Sequence, residues 1–130
     1  MSYHAHLGST VAASDDFRRV LFTGKKSQLV AMSIPAGGEI GEEVHHHVEQ
    51  TLYVQSGKGR AVVGEAIYEV GPGDVVVVTP GSRHNVTNTG DTPLKIATVY
   101  APPNHIDGRV HRTKADADAD EEDEAFGDKP

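Results

Sequence analysis

The chain is predicted to be an all-β protein, and three observations carry that reading. Between residues 17 and 101 no segment sustains the apolar spacing of an amphipathic helix. Short runs rich in Val, Ile, Thr and Tyr recur instead, at spacings of about ten residues. Turns containing Gly or Pro separate nearly all of them. About nine or ten such strands in a chain of 130 residues fit a single sandwich or barrel and leave no room for a second domain.

Taken in order, residues 1–16 read as a loose N-terminal arm, and a domain follows over residues 17–114. Phe17 to Phe22 and Gln28 to Ile34 are strands split by the turn at Gly24, Lys25 and Lys26. Pro35 to Gly38 breaks the pattern, and Glu39 to His45 resumes an extended run. Thr51 to Gln55 alternates as a half-buried strand does, before Ser56-Gly57-Lys58-Gly59 turns the chain. Arg60 to Val63 and Ile67 to Val70 flank a hairpin near Gly64. Val75 to Val78, apolar on both faces, reads as a central strand between the turns at Gly71-Pro72-Gly73-Asp74 and Pro80-Gly81-Ser82-Arg83. His84 to Thr89 and Leu94 to Tyr100 close the series, and Ala101-Pro102-Pro103 ends regular structure.

The net charge of −7 is localised. Residues 115–130 hold eight acids against Lys129, so the remainder of the chain balances at eleven acids and eleven bases. A like-charged run with one aromatic, Phe126, is expected to be a disordered, solvated acidic tail. A neutral body without a basic stripe argues against nucleic acid as a partner. No run approaches a membrane span, and the N-terminus lacks the basic start and apolar stretch of a signal peptide, so no membrane partner is expected. Cysteine is absent, which excludes thiolate catalysis and thiolate metal sites and makes the cytoplasm the expected location.

Donor side chains concentrate in one place. Glu43, His45, His46, His47, Glu49 and Gln50 fall within eight residues, and His84 follows on a later strand. An immunoglobulin-like sandwich has no reason to cluster histidines in a mid-chain turn. A double-stranded β-helix, the jelly-roll barrel, has an open mouth into which strands aim polar groups. The spacing resembles the two motifs of the cupin superfamily. The first runs Gly, five residues, His-x-His, three or four residues, Glu, six residues, Gly; here Gly37, Glu43-x-His45, Gln50 and Gly57 meet every spacing, with Glu43 and Gln50 in place of a histidine and a glutamate. The second ends Pro-x-Gly, two residues, His, three residues, Asn; here Gly73, Pro80, Gly81, His84 and Asn88 follow it, with the proline one position late. Tyr-Ala-Pro-Pro-x-His and Val-His-x-Thr-Lys extend the likeness to small single-domain cupins as far as Lys114.

The resemblance implies a metal site. Alternate side chains of a strand share a face, so Glu43, His45 and His47 point one way and His46 the other. The motif register then selects Glu43, His45, Gln50 and His84 as ligands, and turns Glu49 to the outside of the turn. A second register with His45 and His47 as the pair leaves two residues before Gln50, short of the motif. Two imidazoles, a carboxylate and an amide oxygen suit a divalent transition metal: Fe, Mn, Ni or Zn. The same inventory surrounds zinc in phosphomannose isomerases, with Gln and Glu exchanged. The resemblance further implies a homodimer and a metal-dependent enzyme whose small-molecule substrate ligates the metal through an oxygen, in dioxygenase, isomerase or lyase chemistry. The competing reading is a non-catalytic metal or small-ligand binding module. Tyr100, His105 and His111 are expected at the surface or behind the ligands, Tyr53 on the outer face, and Arg83 and Lys95 are the cations nearest to the site for an anionic substrate.

Overall fold

The computed structural model describes residues 1–128. The predicted all-β architecture is found: the described residues form nine strands in two antiparallel sheets. The strands are β1 (Arg18–Thr23), β2 (Gln28–Ile34), β3 (Glu49–Ser56), β4 (Gly59–Val63), β5 (Ala66–Val70), β6 (Val75–Val78), β7 (His84–Asn88), β8 (Leu94–Ala101) and β9 (Val110–His111). The larger sheet runs β6-β3-β8-β2-β1-β9 and the smaller β5-β4-β7. The strands do not close into one continuous barrel; the double-sheet jelly roll leaves β6 and β9 at the edges of one sheet and β5 and β7 at those of the other.

Burial follows strand position. β2 and β8 lie in the middle of the large sheet and are buried on both faces over most of their length, as their near-continuous apolar runs require. β3 and β7 alternate instead, sending Gln50, Leu52 and Val54, and His84, Val86 and Asn88, inward. Between the sheets sit Val30, Met32, Ile34, Leu52, Val54, Leu94, Ile96 and Tyr100. Burying one aliphatic side chain of this size contributes about 1.5–3 kcal/mol. Gly57, the last residue of the first motif, is fixed here by two demands. Its φ is +91°, and an added Cβ would meet the Pro93 carbonyl oxygen at 2.7 Å. Asn88, the last residue of the second, donates to the Ile34 and Thr92 carbonyls and accepts from Gly90 N–H, pinning the turn before β8.

Four expectations are corrected. β6 is an edge strand, not a central one, and Val75 and Val77 are 58% and 52% exposed; among the described residues β3 alone pairs with it. The run from Glu39 to His45 makes two isolated bridges to β7, Glu39 to Thr87 and Glu43 to His84, because Gly41 at φ +106° interrupts the ladder between them. The N-terminal arm is not loose, since it carries helix α1 (Leu7–Ala13). Leu7 and Val11, one helical turn apart, pack on Ala31 and Ala97, whose small side chains leave space on the outside of β2 and β8.

The acidic segment is the fourth. It forms α2 (Lys114–Asp118) and α3 (Glu121–Gly127) and folds back onto the domain rather than extending into solvent. Thr113 caps α2 by accepting from Asp116 N–H, and Asp120 caps α3 by accepting from Asp123 N–H. Four acids in the first turn of α3 face the positive end of its dipole, and Arg109 pairs with Asp120 and Glu122. Local capping and basic partners from the body therefore offset the repulsion on which the disordered reading rests. Lys129 and Pro130 lie outside the described residues.

Candidate metal centre

Backbone pairing between the two motifs builds the site. Glu43 and His84 exchange both backbone hydrogen bonds, each 2.9 Å, and Gly81 N–H donates to the His45 carbonyl at 2.8 Å. The antiparallel bridge sets the Glu43 and His84 side chains on one face, and His45, two residues on, joins them. Glu43 Oε2 lies 3.3 Å from His45 Nε2, and the His45 and His84 rings are 5.2 Å apart between centroids. Gln50 stands opposite Tyr100 on the β3–β8 ladder, and the Tyr100 ring meets His45 edge-on at 6.0 Å.

The hydrogen bonds of Gln50 and His84 spare atoms that could ligate an ion. His84 Nδ1 donates to the Ser82 carbonyl at 2.9 Å, which fixes the tautomer and leaves the Nε2 lone pair for coordination. Gln50 Nε2 donates to Thr98 Oγ1 at 3.1 Å, while its Oε1 is buried without a partner. His45 Nε2 is also buried and lacks a hydrogen bond, the nearby Glu43 oxygen being too poorly aligned to provide one. A buried polar atom without a partner costs about 1–3 kcal/mol, and a bound ion would remove that cost at both atoms. Protonation states agree. Burial holds His84 below its ordinary value, against the opposing Ser82 carbonyl. Burial alone would raise Glu43, but His45 and Arg18 beside it keep its carboxyl below the usual range. A neutral imidazole and an ionised carboxylate are the forms that coordinate a metal. His46, His47 and Glu49 are exposed, which sets His47 apart from the other donors.

Glu43 and His45, but not Gln50 or His84, line a cavity of about 590 Å³ together with Arg18, Asn104, His105 and residues of the acidic helices. Tyr100, His105 and His111 are all buried, not at the surface. The His105 ring packs edge-on against Tyr100 at 4.9 Å, and Tyr100, fully enclosed, has its hydroxyl pushed up to about 12 by burial. His105 Nδ1 lies 2.7 Å from Asp123 Oδ2, and the other Asp123 oxygen accepts from Ile106 N–H at 2.7 Å. Burial pushes His105 below its usual value despite that carboxylate. Burial would raise Asp123, but His105 and the Ile106 N–H keep it low.

Another group of donors is more compact. Among the described residues, His111, Asp120 and Asp123 place ligand-capable atoms within 4.8 Å of one another. Their atoms are largely committed: His111 Nε2 to Asp120 Oδ2 at 2.8 Å, Arg109 to the same oxygen at 3.0 Å, and Asp123 to His105. The cluster could hold an ion, but it is already paired without one.

Sequence reasoning missed Arg18 and Asp123. Arg18 sits on β1 with only 8% of its side chain exposed, and it shares the inward face with Val20; an arginine in phase with core residues was the signal. The two cations expected near a substrate are engaged elsewhere. Arg83 is exposed and pairs with Glu42, and Lys95 reaches Ser14 and Asp15. Asp123 carried no local signal, being one of eight acids in the tail.

Comparison with known proteins fits this geometry. Residues 30–100 match the cupin domain family. The chain is 42% identical over 118 residues to the uncharacterized protein YrkC of Bacillus subtilis, covering 84% of this chain and 62% of that one, so it spans less than two thirds of that relative. A crystal structure from Bacillus halodurans superposes with a TM-score of 0.90 at 38% identity, covering 92% of this chain and 95% of the other. A double-stranded β-helix protein from Klebsiella pneumoniae superposes with a TM-score of 0.68 at 26% identity, over 87% and 100% of the two chains.

Proposed function

We propose, from the premise that this chain belongs to the cupin domain family, that it is a metal-dependent enzyme acting on a small polar substrate whose oxygen ligates the metal. Glu43, His45, Gln50 and His84 hold the ion, an Fe, Mn, Ni or Zn dication matched to two nitrogens and two oxygens. The single observation that carries this reading is the pair of buried, unpartnered ligand atoms, His45 Nε2 and Gln50 Oε1, beside an imidazole whose other nitrogen is already fixed. A divalent ion bound there supplies Lewis-acid polarisation of a substrate oxygen, or O₂ activation if it is iron.

The chain's own groups do the rest. Thr98 orients the Gln50 amide and Ser82 orients His84, so both ligands are held before anything binds. His105, oriented by Asp123, lies across the cavity as a proton carrier, and α3 restricts water at that wall. These proton-handling groups and the space for a ligand favour an enzyme over a non-catalytic binding module.

Tyr53, Val75, Val77 and Val99 are exposed on one face of β6, β3 and β8, which supports a homodimer through that surface. Among the described residues no helix is long and apolar enough to cross a membrane, and we assign the cysteine-free chain to the cytoplasm. Elemental analysis of untagged full chain tests the function: bound transition metal that His84→Ala loses is the expected result, and no metal before or after reconstitution overturns it. O₂ consumption by the iron form marks a dioxygenase; anaerobic turnover of sugar phosphates by the zinc form marks an isomerase.

A further inference from the structure

His105, the proposed proton carrier, lies on the loop between β8 and β9, a kind of segment that is ordinarily mobile. One side chain from a distant strand removes that freedom. Gln28, at the start of β2 and 1% exposed, commits its whole amide to the task. Its Oε1 accepts from Asn104 N–H at 3.1 Å and from His105 N–H at 2.9 Å. Its Nε2 donates to the His105 carbonyl at 2.7 Å and to Thr23 Oγ1 at 2.9 Å. An amide offers two N–H donors and two acceptor lone pairs, so its full capacity is used. The next N–H along the loop, that of Ile106, donates to Asp123, which also holds the His105 ring. His105 is therefore gripped by its backbone through Gln28 and by its imidazole through Asp123.

Sheet register connects this grip to the candidate metal ligands. β8 lies between β3 and β2, and Tyr100 stands opposite Gln50 on one side and Gln28 on the other. Residues directly opposite in a ladder send their side chains to the same face, so Gln50, Tyr100 and Gln28 form one inward-facing rung. A proposed ligand stands at one end of the rung and the tether of His105 at the other. The Tyr100 ring fills the interval, edge-on to His45 at 6.0 Å and to His105 at 4.9 Å. The reach from the ligands to His105 is thus set by strand pairing rather than by a loop's own conformation, and sites mounted on strands keep their geometry better than sites on loops. We infer that Gln28 is a positioning residue of the proposed site: by tying the Asn104–His105 backbone to the rung that carries Gln50, it holds the His105 imidazole at a fixed distance from the bound ion. This rests on the metal reading above and deepens it. A Gln28 that only braced the loop would have no effect on the state or place of the ring.

The test follows the His105 ring by nitrogen NMR in full chain labelled at histidine, both metal-free and cobalt-loaded; cobalt-induced relaxation reads the distance from ion to ring. The parent is expected to show one tautomer, with the proton on Nδ1 facing Asp123. Gln28→Met, close in shape but without the amide, should mix the tautomers and move the ring by about 1 Å or more, the scale at which misplacement impairs catalysis. Gln28→Glu keeps an acceptor for both N–H groups and loses the donor to the His105 carbonyl, and should give an intermediate change. Asn88→Ser, which frees a different turn, should lower stability in denaturant melts and leave the His105 ring in place. An unmoved ring in folded Gln28→Met overturns the inference, as does an equal disturbance in Asn88→Ser. If Gln28→Met does not fold, Gln28→Glu decides: a displaced ring sustains the inference and an unchanged one overturns it. If the chain takes up no cobalt, the metal reading has failed, and the tautomer in the metal-free chain decides. A mixture in Gln28→Met there sustains Gln28 as the anchor of the ring, and a single tautomer overturns it.

Discussion

Two clusters of histidine and carboxylate reach one cavity, the first through Glu43 and His45 and the second through His105 and Asp123, and they differ in how their polar atoms are satisfied. The cluster on the motif strands leaves His45 Nε2, Gln50 Oε1 and the nearby Arg18 Nε without partners. The cluster under the C-terminal helices pairs His105 with Asp123, and His111 and Arg109 with Asp120, so that each of its carboxylates is engaged, while His111 Nδ1 and, beside His105, Asn104 Oδ1 are without partners. By closeness of donors alone, the C-terminal cluster would be the better metal site. Its atoms are spent on one another, however, and an ion would have to break those pairs before binding. The proposed metal site therefore rests on unmet hydrogen-bonding capacity at His45 and Gln50 rather than on the proximity of donors.

Metal binding offers the sharpest way to break this contrast. His84→Ala should lower metal affinity about a hundredfold or more, above the range for outer-shell changes, while His111→Ala leaves it unchanged. Chelator competition on both variants measures the difference, and the reverse pattern would move the metal to the C-terminal cluster. Asp123→Ala should instead cost stability, about 3 kcal/mol in denaturant melts, because it strips the partner from a buried imidazole and an N–H. Asp123→Asn, which keeps an acceptor, should lose less.

A smaller effect comes from pH. His105 is held low by burial, so the folded chain takes up that proton later than the unfolded chain. Its contribution to stability is whole above about pH 6.5 and declines as pH falls through that value. Asp120, held low by its bond to His111, and Asp123, whose burial is outweighed by His105, contribute above about pH 4 and lose that contribution as pH falls further. Thermal melts of the metal-free chain should therefore show stability falling in two stages on acidification, and Asp123→Asn should reduce the lower one. Least is expected of Arg83→Ala at the rim, whose exposed pair with Glu42 is worth under about 1 kcal/mol in the same melts. Metal affinity should not change.

Much of the motif-strand cluster was legible in the chain. Strand alternation put Glu43 and His45 on one face, and motif spacing singled out Gln50 and His84 from the more conspicuous His46 and His47, which the structure leaves exposed. The C-terminal cluster was not legible. An acid-rich segment reads as self-repelling until the partners that neutralise it are known, and those partners, Arg109, His105 and His111, lie on loops and a short edge strand outside the tail.

The sequence by itself determined the all-β class, most strand positions, the turns that need glycine, and the shared face of Glu43 and His45. All of these follow from relations between residues a few positions apart, where strand period and turn chemistry act. Only the tertiary structure decided that β6 is an edge, that Arg18 reaches Glu43, and that Asp123 fixes His105. Those contacts join distant parts of the chain through sheet order and register, which depend on how every strand packs and not on any one stretch of sequence.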